Sequence, residues 1–369
     1  MLVVVALSGG VDSSVAAALL QAEGHEVVGV TMQIWPEEEA GRSERQGGCC
    51  AMGAVRDARA VADHLGIPYY VFQMREEFER EVIARFIQAY AGGRTPNPCV
   101  ACNEFIKFRA LLAKARRMGA GALATGHYAR LRQGQDGWEL WRGADPGKDQ
   151  SYVLHPLDRA DLAFLRFPTG ELRKQDTRAY ARDLGLPTAD KPDSQEICFV
   201  GEAGYADLVG KARPDALRPG PIVDVDGHVV GQHRGLAHYT VGQRRGLGLA
   251  AGRPVYVVAL DPERNALIVG DSQDTEVAWC TVTRVHWLAA CPPTGTAVEV
   301  KVRSGPAMHP ATVSPDPDAG MTVRFHPPVR AVTPGQACVI YAGERVLGGG
   351  EIDRVGRLPA ANPLITAAP

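Results

Sequence analysis

The sequence predicts an α/β protein, with a doubly wound, mostly parallel sheet first and two small β-rich domains after it. Three observations predict this. Apolar β-branched runs alternate with helical patterns up to about residue 200, a glycine-rich turn stands directly behind the first run, and from about Gly201 the texture changes to short β-branched runs divided by Gly, Pro and Asp. Leu2–Leu7 is too short and too β-branched for an amphipathic helix and reads as a buried parallel strand. Ser13–Ala22 follows as a helix closed by Gly24. Glu26–Trp35 reads as the second strand, Gly53–Leu65 as a helix, Ile67–Met74 as the third strand and Glu76–Tyr90 as a long helix. Lys107–Met118 is a further helix, and Gly121–Tyr128 a strand ending in a Gly-His pair. Ligands of such sheets bind outside the carboxyl ends of the strands, where Ser8, Met32 and Gly126-His127 then lie.

In the second half, Pro221–Val225, Pro254–Leu260 and Ala266–Val269 are strand signals, and a break near Cys280 suggests two domains. Val298–Arg303, Ala311–Val313, Met321–Phe325 and Ala337–Tyr341 belong to the last. The expected division is therefore 1–200, 201–280 and 281–358, with 359–369 a loose tail. A chain of 369 residues has room for two or three domains. Its residues are 45% hydrophobic, with no apolar run of transmembrane length and no start resembling a signal peptide, so a soluble cytoplasmic protein without a membrane partner is expected. Eight cysteines are too sparse for a disulfide scaffold, which makes clustered ones metal ligands or reactive thiols. The formal net charge of −2 excludes a generally polycationic nucleic-acid binder, and any RNA site must be local. The pairs Arg116-Arg117, Arg173-Lys174 and Arg244-Arg245 read as solvated faces.

The most informative segment is Ser8-Gly9-Gly10-Val11-Asp12-Ser13-Ser14. Two glycines at a strand-to-helix junction let backbone approach a ligand, and the first N–H groups of the helix point at an anion with the dipole behind them. A lone Gly-Gly is an ordinary turn, and a Walker loop would need a Gly-Lys-Ser/Thr ending that is missing here. The full heptapeptide resembles the pyrophosphate loop of the N-type ATP pyrophosphatases, which implies splitting of ATP to AMP and pyrophosphate while a substrate oxygen is adenylated.

A second constellation runs from Gly93-Arg94-Thr95-Pro96-Asn97-Pro98-Cys99-Val100-Ala101-Cys102-Asn103 into Glu104–Phe108. Its two prolines discourage helix before Cys99 and suggest a rigid loop. A thiol near Lys107 and a helix start would have a lowered pKa. The alternative is half of a structural zinc site on Cys99 and Cys102, which wants a second ligand pair that Cys49-Cys50 supplies poorly. The third constellation is Asp193-Ser194-Gln195-Glu196-Ile197-Cys198-Phe199, and a single cysteine like its Cys198 is as a rule a small buried hydrophobe.

Taken together, SGGVDSS, GRTPNPCVACNEFIKF, ATGHYAR (Ala124–Arg130), KDQSYVL (Lys148–Leu154), DSQEICF and YTVGQRRGLG (Tyr239–Gly248) resemble, in this order, the tRNA-specific 2-thiouridylases of the MnmA family. The resemblance spans nearly the whole chain. It implies an adenylating domain with the adenine-nucleotide hydrolase-like fold, a small central domain and a C-terminal β-barrel, acting on the wobble uridine of tRNAs for lysine, glutamate and glutamine. It further implies that Cys198 carries a sulfane sulfur as a persulfide, delivered by a donor such as a cysteine desulfurase or a sulfur-relay protein. Cys102 then assists as nucleophile, either releasing the terminal sulfur by forming a disulfide or attacking the activated base, so two distant cysteines must meet over one base, for which a mobile segment around Cys198 is one route. The implied ATP contacts are Ala6, Leu7, Ser8, Gly9, Gly10, Val11, Asp12 and Ser13, with Met32 near the adenine, Gly126 beside the nucleotide, and Mg2+ as the pyrophosphate's counter-ion. Asn97, Pro98 and Cys99 match the contact to the target base; His127, Lys148, Asp149, Gln150 and Gln336 match tRNA contacts, as do Arg303 and Ser304 on the substrate side. His127 ending a strand, Gln336 in a Pro-Gly turn and Lys148 as a surface charge are the plainer alternatives.

Two positions depart from the family pattern. Many relatives carry aspartate where Cys99 stands, and many have an aromatic residue where Ser304 follows Arg303. Cys99, Cys102 and Cys198 are then three thiols around one site, a possible ligand set for an iron–sulfur cluster with one iron left open. Competing functions are an adenylating synthetase with an amine nucleophile, which needs neither Cys102 nor Cys198, and a zinc-stabilised RNA-binding module, which leaves SGGVDSS without a purpose. A thiol-disulfide oxidoreductase is weaker, since its C-x-x-C belongs near a thioredoxin-like βαβ unit.

Overall fold

Strand β1 (Leu2–Ala6) sits at the centre of a parallel sheet, and its Val3, Val4 and Val5 are wholly buried, as a strand covered on both faces requires. The computed structural model describes residues 1–34, 52–193, 197–200, 204–249, 252–316 and 320–357. The expected strand end at Trp35, Cys49-Cys50, Ser194–Glu196 and the tail 359–369 lie outside them. The chain divides into one unit of Met1–Ile83, Pro98–Glu202 and Glu344–Val346, and a second of Ala84–Asn97, Ala203–Gly343 and Leu347–Pro369.

In the first unit, β2 (Glu26–Gln33), β3 (Tyr69–Gln73), β4 (Ala122–Ala124) and the short β7 (Leu165–Arg166) join β1 in the order β3-β2-β1-β4-β7. The pairs are parallel, with Val5 opposite Gly29 on one side and Ala124 on the other. Helices α1 (Val11–Ala22) and α2 (Met52–Leu65) cover one face: Ala17, Leu20, Ala58 and Ala62 pack on Val3, Val5 and Val27. The strand-helix alternation expected from sequence is present. The hairpin β5 (Ala129–Gly134) and β6 (Gly137–Arg142) is an addition, although Ala129-Arg130-Leu131-Arg132 alternates apolar and charged residues as a strand does; Arg132 lies over the Trp141 ring at 4.9 Å.

Residues 94–97, before the second proline, are non-helical as expected, but helix begins at Pro98 itself. Helix α3 starts at Pro98, runs as Pro98–Ala101, widens to π-type winding over Cys102–Leu111 and ends as Leu112–Arg117. Proline at the first helical position loses nothing, because its N–H would have had no intrahelical partner. Cys99 and Cys102 therefore ride on the first turns of a helix, well before Lys107. Helix α4 (Lys174–Asp183) packs Ala181, with Leu186 and Ala189, against Val11 and Val15 of α1.

The second unit holds two β structures. β8 (Gly220–Asp224), β9 (Val229–His233), β10 (Tyr256–Asp261) and β11 (Ala266–Gly270) pair in the order β10-β11-β8-β9, over a core of Ile222, Leu236, Tyr239, Val257, Leu267 and Val269. β12 (Glu276–Trp287), β13 (Thr296–Lys301), β14 (His309–Asp316), β15 (Gly320–Arg330), β16 (Ala337–Ala342) and β17 (Arg345–Gly356) then follow each other round as β12-β15-β14-β13-β16-β17, and β17 pairs back with β12. This closed barrel has no open edge to protect. Cys280 stands inside β12, four residues after its start at Glu276, with no exposure. Within the same unit Arg94 reaches Glu351 Oε1 at 2.8 Å, Asp353 Oδ1 at 3.0 Å and the Ile352 carbonyl at 2.9 Å.

The barrel interior is filled by Val282, Val300, Val313, Val323, Ile340 and Ile352, all without exposure. Ile340→Ala is expected to cost about 2–5 kcal/mol, measured as the shift of the barrel's unfolding transition in a denaturant titration.

Candidate active site

The glycine-rich loop takes its form from three neighbours. β1 delivers it at the carboxyl edge of the sheet, and α1 begins at Val11 with Gly10 as a cap that makes no side-chain bond, so the first N–H groups of the helix are not capped by it. Gly9 has φ of +66°, and a Cβ there would stand 2.5 Å from the Ala54 carbonyl oxygen. Gly126 presses against the loop from the end of β4, where a Cβ would meet Ser13 N and Asp12 C at 2.5 Å. The Ser13 hydroxyl accepts from Ser8 N at 3.1 Å and donates to the Gly10 carbonyl at 3.1 Å; Ser14 donates to the same carbonyl at 2.9 Å. Both serines are thus engaged inside the loop.

In front of it opens a cavity of about 390 Å³ that lies wholly in the first unit. Of the residues expected from sequence, Ala6, Leu7, Ser8, Gly10, Val11, Asp12, Ser13, Met32, Pro98, Cys99, Cys102, Gly126, His127, Lys148, Gln150 and Cys198 line it. The two cysteines of α3 and the distant Cys198 therefore face one space. No disulfide joins Cys99, Cys102, Cys198, Cys280, Cys291 or Cys338. Among the described residues, Cys99 and Cys102 gather no third single-ion ligand, and only Asp224, Asp226 and His228, at the exposed turn after β8, bring three ligand atoms within 4.8 Å of one another.

Other expected residues lie elsewhere. Gly9 shapes the loop without lining the cavity. Asp149 turns inward, accepting from Gly143 N and Ser151 N at 3.1 Å each and from Arg142 Nε at 3.1 Å, and so holds the turn that carries Lys148 and Gln150. Asn97, Arg303, Ser304 and Gln336 belong to the second unit. Gln336 donates to the Thr95 carbonyl at 2.7 Å, and Arg303 and Ser304 are exposed on the turn after β13.

Charged groups that the sequence did not mark complete the cavity. Lys174, read as a solvated face, is 12% exposed and holds both carboxylate oxygens of Asp12, at 2.6 and 2.8 Å, and Asp193 Oδ1 at 2.9 Å. Asp193 also takes Lys148 at 2.7 Å and Arg178 at 2.8 Å. Lys191 donates to the Gly9 carbonyl at 2.8 Å and to Asp57 at 2.6 Å. Tyr128 donates to Asp12 at 2.8 Å; burial first, then the Asp12 charge, push its pKa up, so it stays a neutral donor. His127 is pushed well below the ordinary 6.5, first by burial and then by the Lys107 charge. Lysine has no acceptor, so the contact of Lys107 Nζ to His127 Nε2 at 3.5 Å assigns the ring proton to Nδ1, which donates to Thr125 Oγ1 at 2.6 Å. No sequence signal marks Lys174 or Lys191 beyond their charge, whereas Thr125 and Tyr128 lie inside the ATGHYAR segment.

Comparison with known proteins defines the class first. Residues 1–202 match the family model described as a tRNA methyl transferase HUP domain, 207–271 its PRC-barrel domain and 277–352 an aminomethyltransferase β-barrel domain. A tRNA-specific 2-thiouridylase MnmA of Chloroflexus aurantiacus is 53% identical over 354 residues, covering 95% of this chain and 98% of the relative. Those of Methylorubrum populi (51%, covering 97% of this chain and 95% of the relative) and Paramagnetospirillum magneticum (52%, 95% and 95%) are similar. The chain belongs to the MnmA family of tRNA-specific 2-thiouridylases.

Burial works against the charge of Asp193, but its bonds to Lys148 and Lys174 outweigh burial and hold its pKa at about 2, below the ordinary 3.8. A carboxyl depressed in the folded state stabilises fully above the unfolded value and loses that contribution as the pH falls through the folded one. The stability gap between the protein and Asp193→Asn is expected to be constant above about pH 4 and to close towards pH 2, read from denaturant midpoints across that range.

Proposed function

We propose that the protein is a tRNA-uridine 2-sulfurtransferase that uses ATP. The observation that carries the reading is that Cys102 and Cys198, far apart in sequence, line the same cavity as the Ser8–Ser13 loop. Uridine O2 is a poor leaving group. Adenylation by ATP turns it into a phosphate ester that departs as AMP, with pyrophosphate released first and Mg2+ as its counter-ion. The uncapped N–H groups of α1 and the lysines around Asp12 suit the departing polyanion. His127, neutral and fixed through Thr125, adds no charge there.

The sulfur then comes from a persulfide on Cys198, loaded by a cysteine desulfurase or relay protein. Its terminal sulfur attacks C2 and the C–O bond to AMP breaks. Cys102, as thiolate, attacks the inner sulfur, so the persulfide S–S bond breaks and leaves 2-thiouridine; the two cysteines are oxidised to a disulfide while the sulfane sulfur is reduced. A thiol reductant resets the pair. The reverse order, in which Cys102 first frees hydrosulfide that then attacks C2, has the same balance. The tRNAs for lysine, glutamate and glutamine are the proposed substrates. An amine-using synthetase needs no such pair of thiols.

Cys99 favours one variant of this reading. Cys99, Cys102 and Cys198, three thiols lining one cavity, would be the residues to hold an iron–sulfur cluster. Such a cluster would supply an open iron site for an exogenous sulfide. In that case Cys99, Cys102 and Cys198 are ligands.

Two experiments separate these. Unmodified glutamate tRNA, magnesium-ATP and a persulfide donor with iron-free protein are expected to yield AMP and 2-thiouridine by nucleoside mass spectrometry. Cys198→Ser and Cys102→Ser are expected to keep AMP formation while thiouridine falls at least a hundredfold; full thiolation by either variant sinks the mechanism. Anaerobic reconstitution is expected to load iron with cluster absorbance only if the variant applies, and that iron must then be lost in Cys99→Ser.

A further inference from the structure

Asp12 presents a charge problem at the loop. It stands in the first turn of α1, where the N–H groups and dipole favour an anion, and its carboxylate repels a second anion unless cations neutralise both. Ser8–Ser14 contains no lysine or arginine. We propose, resting on the nucleotide reading above, that Lys174 and Lys191 form the cationic clamp on the pyrophosphate, doing from outside the loop what the Walker lysine does within it.

Both lysines line the cavity, and both are already tied to the loop. Lys174 meets Asp12 at 2.6 Å, and Lys191 meets the Gly9 carbonyl at 2.8 Å. Each is anchored on its other side by a carboxylate outside the loop, Asp193 for Lys174 and Asp57 for Lys191. Anchoring limits the freedom of two long side chains before the ligand arrives, so the cations are in place without reorganisation. An ammonium has three N–H donors. The described contacts of Lys191 use two, which leaves one for a phosphate oxygen, whereas Lys174 spans Asp12 and Asp193 and exchanges one of these acceptors for phosphate. The cavity as a whole suits a polyanion. Its lining carries Lys107, Lys148, Lys174 and Lys191 against Asp12 and Asp193, a local excess of positive charge in a chain of net charge −2.

The test is calorimetric titration of the full-length protein with magnesium pyrophosphate and, separately, with adenosine. Lys174→Gln and Lys191→Gln are each expected to weaken pyrophosphate binding tenfold or more with adenosine affinity kept within threefold. Lys174→Arg, which keeps the charge and the two carboxylate partners, is expected to recover most of the loss. The proposal is overturned if either Gln variant binds pyrophosphate within threefold of the parent, or if adenosine affinity falls in parallel, which marks a merely structural role. A parent protein that binds neither ligand defeats the nucleotide reading itself, and so is distinguishable from a failure of the clamp. Lys211→Met, an exposed lysine paired with Asp207 in the second unit, serves as the unaffected control.

Discussion

A single close approach, between Gly126 and the peptide joining Asp12 to Ser13, sets the terms for the rest of the site. With a Cβ distance of 2.5 Å, no side chain other than hydrogen fits unless β4 or α1 moves. β1 and β4 pair directly in the parallel sheet, and that pairing brings Gly126, two residues past the end of β4, against the loop that leaves β1. On the far side Gly9 lies as tightly under Ala54 of α2. The loop is thus held between neighbours through bare backbone. What it presents to the cavity is consequently backbone and small side chains that let an anion approach, together with the Asp12 carboxylate that Lys174 neutralises.

The second layer of the site is electrostatic and is arranged as a hub. Asp193 gathers Lys148, Lys174 and Arg178, and Lys174 continues to Asp12, so one chain of ion pairs joins the turn after β6, the start of α4, the stretch before Cys198 and the loop. Single exposed ion pairs contribute little, but a partly buried network fixes geometry by leaving each charge few alternative partners. The depressed pKa of Asp193 is the mark of that arrangement. Asp149 does related work without touching the cavity, since its buried carboxylate ties the turn that presents Lys148 and Gln150.

Much of this was legible in the residues. β-branched or aromatic runs announced β1 to β3, an apolar stretch announced β4, the glycine pair announced the loop, and motif order announced the family. The differences have physical causes. Pro96 and Pro98 suggested a stiff stretch before Cys99, and residues 94–97 do stay out of helix, but α3 already starts at Pro98, because proline is harmless at the first helical position. Arg173-Lys174 resembled any solvated pair, because nothing local tells a lysine that reaches solvent from one that reaches an aspartate 162 positions away.

Local chemistry decides what is short-range: strand periodicity, the turn at Gly9-Gly10, and the residue types of the glycine-rich loop and of the two cysteine segments. These depend on a few neighbouring dihedrals and on side-chain type, both of which are written in consecutive residues. Tertiary structure decides which of these features share a space. Only folding brings Cys198 to the cavity of Cys102, supplies Lys174 and Lys191 to a loop that lacks a lysine, closes β17 onto β12, and turns Asp149 away from the site. Such encounters are set by the packing of sheet and helices, a long-range property that no segment of the chain carries alone.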